Sequence, residues 1–289
     1  MQDSSKASVR SLVITGSSTG IGAAAALELD RHGFRVFAGV RSEADGRRLQ
    51  QSASSRLTPI LLDVTDPGQI CARAAEVAAA VGPQGLAGLV NNAGIVVVGP
   101  IEVVPLEALR RQFEVNVLGT VAVTQGFLPL LRCGGGRIIN VSSGNGFMAP
   151  PYFGPYAASK AAENSLSDCL RVELRRWHIP VSIVVPGSVA TPIWQKSLAT
   201  ADRLAGESPV ERYELYREDL DAVRITAHRL AEHAMPAQHV AEVVLAAMLA
   251  PRPKALYIVG TDSRLMRMGS RFLPIWLRDR LLMRGLGLK

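Results

Sequence analysis

The sequence predicts an α/β chain: a doubly wound, seven-stranded parallel sheet covered by helices on both faces, in a single domain. Three observations carry this. Short apolar runs of strand length alternate with helical stretches, the pattern of a sheet buried on both sides. A glycine-rich turn joins the first apolar run to an alanine-rich helical stretch. Polar and glycine motifs follow the ends of the runs, where ligands of such sheets sit. In chain order the expected strands are 11–15, 36–40, 58–63, 88–91, 137–141, 181–185 and 255–259, with a helix over 23–32 after the glycine turn. Asp66 before Pro67 reads as a helix N-cap.

Composition bounds the function classes. The chain has 289 residues, of which 48% are hydrophobic, enough for one α/β core and short for two full domains. No uninterrupted apolar run reaches the roughly 18 residues that span a bilayer. The start of the chain, with Gln2, Asp3 and Ser4, is polar, so the expectation is a cytoplasmic protein without a secretory leader. Cys71, Cys133 and Cys169 are odd in number and widely spaced; they read as reduced packing residues. His228, His233 and His239 do not share a helical face, and no metal is assigned.

The glycine turn runs from Gly16 through Ser18, Thr19, Gly20 and Ile21 to Gly22. A strand, a glycine turn and a helix present a helix N-terminus to a dinucleotide pyrophosphate. The spacing G-x-x-x-G-x-G departs from G-x-G-x-x-G, so this turn alone leaves a plain helix entry open. The second motif is Tyr156-x-x-x-Lys160, with Ser143 thirteen residues upstream. A phenol with an unperturbed pKa of roughly 10 needs a neighbouring cation to work near neutrality. Spacing of i, i+4 puts Lys160 one helical turn from Tyr156. A serine hydroxyl aimed at the same point can hold a substrate oxygen while the tyrosine moves a proton.

Taken together, Thr15 to Gly22, Asn91 to Gly94, Asn116, Ser143, Tyr156-x-x-x-Lys160 and Pro186-Gly187 closely resemble the short-chain dehydrogenase/reductase family, over about residues 10–257. The resemblance implies a Rossmann-type fold and hydride transfer between a nicotinamide cofactor and a carbinol or carbonyl. It implies Tyr156 as acid/base, Lys160 as its pKa-lowering partner and ribose ligand, Ser143 as donor to the substrate oxygen, and Asn116 as holder of a relay water. By the family's spacing, Ser142 is not the catalytic hydroxyl. Cofactor contacts are implied at Gly16, Ser18, Thr19, Gly20, Ile21, Gly22, Arg41, Asp63, Val64, Asn92, Ala93, Gly94, Tyr156, Lys160, Pro186, Gly187, Val189 and Thr191. Asp63 would meet the adenine amino group and Thr191 the carboxamide. Many relatives pair through helices, so a homodimer or homotetramer is expected.

Val40 stands where the family's NAD-preferring members usually carry Asp, and Arg41 follows. An arginine there accommodates a 2′-phosphate, so NADP(H) is favoured over NAD(H). The segment 192–236 reads as a helical lid, with Trp194, Leu198, Leu204, Tyr213, Leu215, Tyr216, Leu220 and Val223 spaced among charges. With Phe147, Met148, Pro150, Pro151, Tyr152 and Phe153 it suits a bulky apolar substrate. The layout resembles more loosely the branch of 17β-hydroxysteroid and retinol dehydrogenases, which implies a steroid-like or retinoid-like secondary alcohol or ketone. Arg203, Arg212 and Arg217 keep open a 3-oxoacyl-thioester reductase or 3-hydroxyacyl dehydrogenase. A non-catalytic NADP(H)-sensing regulator is the remote alternative, against which the complete Asn116, Ser143, Tyr156 and Lys160 set argues.

Residues 1–260 read as the catalytic domain and 261–289 as a basic amphipathic extension. From Arg264 to Lys289 there are seven basic residues and one acid, +6 of the chain's +7. Arginines interleaved with Phe272 and Trp276 suit a weak peripheral contact with an anionic membrane. Packing on the protein is favoured, because one such helix binds lipid weakly. Net charge alone speaks for nucleic acid, and none is expected.

Overall fold

The computed structural model describes residues 9–193, 200, 206 and 210–288. Strands β1 (Ser11–Ile14), β2 (Arg35–Val40), β3 (Leu57–Leu61), β4 (Gly88–Asn91), β5 (Arg137–Val141), β6 (Val181–Pro186) and β9 (Leu256–Val259) form one sheet in the order β3-β2-β1-β4-β5-β6-β9. Every pairing in it is parallel. The expected seven strands are all present, each displaced by no more than two residues at either end. Two short strands, β7 (Val189–Ala190) and β8 (Met235–Pro236), pair separately; at two residues each they leave no apolar run to read.

Alternation along β1 builds two cores at once, because successive side chains of a strand point to opposite faces. Leu12 and Ile14 face helices α1 (Gly20–Arg31) and α9 (Ala237–Leu249), packing with Ala25, Leu29, Val240 and Val244. Val13 faces the other way, into a cluster with Leu89, Ile138, Val123, Phe127 and Leu131, where α3 (Pro67–Val81) and α5 (Gly119–Gly134) lie. Helix α3 starts as expected: the Asp66 side chain accepts from the Gln69 amide at 3.0 Å, with Pro67 at its first position. Helix α2 (Glu43–Gln50) packs beside β2 and β3.

Helix α4 (Leu106–Phe113) runs into α5 through a wide turn, Glu114–Leu118, with π-helical bonding. The continuous helix is long and apolar enough to cross a membrane by composition, yet its inner face is part of the core, with Val123, Phe127 and Leu131 fully buried. After α6 (Gly154–Glu173) and β6 the chain makes α7 (Val210–Glu214) and α8 (Arg217–Glu232). It ends in α10 (Thr261–Phe272) and α11 (Ile275–Leu286). The cysteines are free, as expected, but all three are exposed. They sit on the outer faces of α3, α5 and α6; the inner faces carry Ile70, Val77 and Val81 on α3, Val123, Phe127 and Leu131 on α5, and Ala157, Ser159, Lys160 and Glu163 on α6, so the cysteines are not packing residues.

Candidate active site

Strand order reverses between β1 and β4, and a crevice opens there beyond the carboxyl ends of the strands. It holds a cavity of about 460 Å³. Its cofactor half is built on the glycine turn. Gly16 and Gly20 sit at φ +69° and +60°, a region that favours glycine. A Cβ on Gly16 would come within 2.8 Å of the Ala93 Cα. Gly22 lies behind the wall, where a Cβ would meet the Gly16 carbonyl at 2.2 Å. Thr15 fixes the neighbouring loop: its hydroxyl accepts from the amides of Asn92 and Ala93 at 3.0 Å, and the Asn92 amide side chain donates to the Thr15 and Gly16 carbonyls. Thr19 at the start of α1 makes no side-chain cap, and the first turn has no acidic residue. The positive end of the helix is thus left for an anion. This cradle fits a dinucleotide pyrophosphate.

Arg41, Asp63 and Val64 line the cavity at the ends of β2 and β3. Burial works against charge on Asp63. Hydrogen bonds from the Thr65 amide and hydroxyl, with the nearby Arg111 and Arg41 guanidiniums, outweigh it and hold the carboxyl below its usual range. Arg111 lines the same wall and was missed by sequence reading, because one arginine of an Arg110-Arg111 pair on an exposed helix gives no sign of which way it faces. At the opposite end, Pro186, Gly187, Val189 and Thr191 line the wall. The Asp262 carboxylate accepts from the Ser188 amide at 2.6 Å and the Ser263 amide at 2.9 Å, and Ser263 donates to the Pro186 carbonyl.

Ser143, Tyr156 and Lys160 converge on the same cavity. Ser143 follows β5 and caps the turn 144–146, accepting from the Asn145 amide at 3.3 Å. Tyr156 is in the first turn of α6 and Lys160 in the next. The Lys160 ammonium donates to the Val141 carbonyl at 2.8 Å and to Glu163 at 2.6 Å. Asn116, 1% exposed in the π turn, lies outside the cavity lining. Its side chain exchanges hydrogen bonds with the backbone of Ile95 and donates to the Ser159 hydroxyl at 3.1 Å. It therefore holds the loop after Asn92 against α6. Ser142 also lines the cavity, its buried hydroxyl without a partner among the described residues.

The cavity is closed on an apolar side by Pro150, Phe153, Pro192, Ile193, Leu230, Met266 and Leu286. The C-terminal extension, favoured from its sequence to pack on the protein, thus contributes Met266 and Leu286 to the wall. Phe147 and Met148 turn instead to α10, Phe147 under the Arg267 guanidinium and Met148 against Gly269. Tyr152, at φ +69°, is tied to α8 by its hydroxyl to Asp219, and Tyr216 donates to Glu102 at 2.5 Å. Burial, then the Asp219 hydrogen bond and charge, push the Tyr152 phenol well up. Leu220 and Val223 are buried under α8, whereas Leu215 is exposed. Arg212 and Arg217 lie away from the cavity lining, Arg217 paired with Glu214. Trp194, Leu198, Arg203 and Leu204 lie outside the described residues. No group of three His, Cys, Asp or Glu that could hold a metal occurs among the described residues.

A glycine cradle on a parallel sheet, opening onto a serine, a tyrosine and a lysine, defines the class: a dinucleotide-dependent oxidoreductase. The short chain dehydrogenase family model matches residues 10–202, and the chain belongs to that family. It is 32% identical over 283 residues to an NADPH-dependent 3-dehydrocapnine reductase of Ornithobacterium rhinotracheale, covering 96% of this chain and 98% of that protein. It is 35% identical over 278 residues to 17-beta-hydroxysteroid dehydrogenase type 6 of Bos taurus, covering 94% and 87%. Retinol dehydrogenases are also among its relatives, so the chain is similar to the hydroxysteroid and retinol dehydrogenase branch. A short-chain dehydrogenase of Burkholderia cenocepacia in complex with NADP superposes with a TM-score of 0.72 at 25% identity, covering 95% of this chain and 98% of that one.

Proposed function

We propose that this protein is an NADP(H)-preferring reductase and dehydrogenase that interconverts a ketone and a secondary alcohol on a bulky apolar substrate. The convergence of Ser143, Tyr156 and Lys160 on one cavity, opposite an uncapped glycine cradle, carries the reading. The bound nicotinamide supplies or accepts the hydride. Ser143 holds the substrate oxygen by a hydrogen bond that strengthens as charge develops there. Tyr156 delivers its proton to that oxygen in reduction and removes it in oxidation. Lys160 keeps an ammonium beside the phenol and the ribose, and Asn116 holds the loop that faces them.

Arg41 beside Asp63 supports a 2′-phosphate, as do the NADP-bound structural neighbour and the NADPH-dependent relative. The apolar lining from Phe153, Ile193, Leu230, Met266 and Leu286 supports an apolar substrate; relatives named for steroid and retinol fit it. A turnover panel of steroid ketones, retinal, 3-oxoacyl thioesters and short ketones with NADPH and NADH tests both choices. Steroid or retinoid turnover with NADPH upholds the reading, and thioester-only activity overturns it. Tyr156→Phe should lower turnover at least about 100-fold while cofactor still binds; retained activity would remove Tyr156 from its role.

The exposed Leu265, Met268, Phe272, Ile275 and Trp276 among the arginines of α10 and α11 support weak contact with an anionic membrane. Co-sedimentation with phosphatidylserine vesicles that Trp276→Glu does not weaken argues against it. A homodimer or homotetramer is the assembly expected of this family, checked by light scattering.

A further inference from the structure

A buried carboxylate sits on the helix of the proposed acid/base. Glu163 is three residues beyond Lys160, and the two side chains are 3% and 6% exposed. Its Oε2 accepts a hydrogen bond from the Lys160 ammonium at 2.6 Å, and the Val141 carbonyl accepts a second at 2.8 Å. An ammonium has three protons, so one is left for the cofactor and phenol side.

Among the described residues, Lys160 is the one ionic partner of this carboxylate. Strand β6 and the turn 144–146, both packed on α6, carry no charged residue. Helix α4 brings Glu107, Arg110 and Arg111, the π turn Glu114, and the turn after α6 Arg175 and Arg176; none of these figures among the groups acting on the pair. Burial raises the Glu163 carboxyl overall, with the Lys160 charge and hydrogen bond opposing it. Burial disfavours the Lys160 ammonium, but Glu163 and then Tyr156 outweigh it and raise it overall.

We infer that Glu163 is a positioning residue that anchors Lys160 and offsets its charge, so that Lys160 draws less on the Tyr156 proton and the enzyme is set for carbonyl reduction. A lone ammonium beside a phenol draws the proton off; an ammonium already paired does so less. Tyr156 and Glu163 are seven residues apart on one helix, about 10 Å along its axis. At that separation a full negative charge, with an effective dielectric near 20, moves a titration by about one pH unit. The inference rests on Tyr156 being the acid/base.

The test titrates the phenolate absorbance of the NADP-bound enzyme, taken as wild type minus Tyr156→Phe, and repeats it in Glu163→Gln and Glu163→Asp. Glu163→Gln keeps an oxygen for Lys160 and removes the charge. Its Tyr156 signal should emerge about one pH unit lower than in wild type, a tenfold change in phenolate at a given pH, and Glu163→Asp should restore the wild-type curve. A structural role alone would lower the melting temperature and leave the curve in place; coincident curves for wild type and folded Glu163→Gln overturn the inference. Should Glu163→Gln not fold, the wild-type titration decides, since a Tyr156 phenolate already formed at neutral pH overturns it as well. Turnover by Tyr156→Phe would instead defeat the acid/base reading itself, so the two failures are distinguishable.

Discussion

Gly187 and Asp262 make the sharpest steric prediction in the molecule. A Cβ on Gly187 would lie 1.8 Å from Asp262 Oδ1 and 2.3 Å from its Cγ, so Gly187→Ala forces the carboxylate out of place. That carboxylate receives the Ser188 and Ser263 amides at 2.6 and 2.9 Å. Hydrogen bonds to a charged group contribute about 1.5–3 kcal/mol each. Losing the shorter one predicts a cost of that size for Gly187→Ala, a fall of roughly 3–6 °C in melting temperature at about 2 °C per kcal/mol. Asp262→Ala removes the same acceptor and should cost a similar amount. In the double variant the new methyl group has nothing to displace, so the second substitution should cost little. The coupling energy from thermal or urea unfolding should therefore exceed about 1 kcal/mol. Both single variants should also raise the KM for NADPH, because the 186–191 loop lines the cofactor side. Strictly additive costs, or a Gly187→Ala protein with wild-type melting and KM, would refute the steric argument.

Three further outcomes are expected. Val40→Asp with Arg41→Ala should shift the NADPH to NADH ratio of kcat/KM by about 10–100-fold towards NADH, the loss of one charged hydrogen bond to phosphate; an unmoved ratio removes Arg41 from cofactor choice. The lowered Asp63 carboxyl contributes stability that is complete above its unfolded value near 4 and fades as pH falls through its lower folded value. The stability gap between wild type and Asp63→Asn should accordingly narrow below about pH 4, as acid-unfolding curves would reveal. Phe127, fully buried against β1, β4 and β5, should cost about 3–5 kcal/mol as Phe127→Ala, read from urea midpoints at unchanged slope.

Much of this molecule was legible in its sequence because the signals were local. Each strand of the sheet is an apolar run bounded by glycine or polar residues, so β4 and β5 fall at their expected bounds. Gly16, Ser18, Thr19, Gly20 and Ile21 follow one another in a single loop and helix start, Tyr156 and Lys160 stand on successive turns of one helix, and the structure brings all of these to the cavity while leaving Gly22 behind its wall. Asn116 was expected at the site from the family resemblance, whereas its hydrogen bonds to Ile95 and Ser159 depend on a π turn that no periodicity announces. Glu163 was unreadable for a different reason: an acidic residue three positions after a lysine is the ordinary pattern of a solvated helix face, and only the packing of α6 buries it. The roles of Asp262, Met266 and Leu286 depend on contacts with residues 60 to 122 positions away. The sequence favoured packing of this segment on the protein, but no local pattern names which of its side chains reach the cavity.

The placement of α10 and α11 divides the two specificities of the cavity between parts of the chain with different freedom to vary. The dinucleotide half is made from turns at the ends of core strands, where a change in length would shift the register of the whole sheet. Met266 and Leu286 face the same cavity from helices that carry no strand of the sheet. Insertions, swaps or side-chain changes there can reshape the substrate wall while the cofactor cradle is inherited intact. A graft of the final two helices from a relative is accordingly a route to a new substrate range on an old reaction.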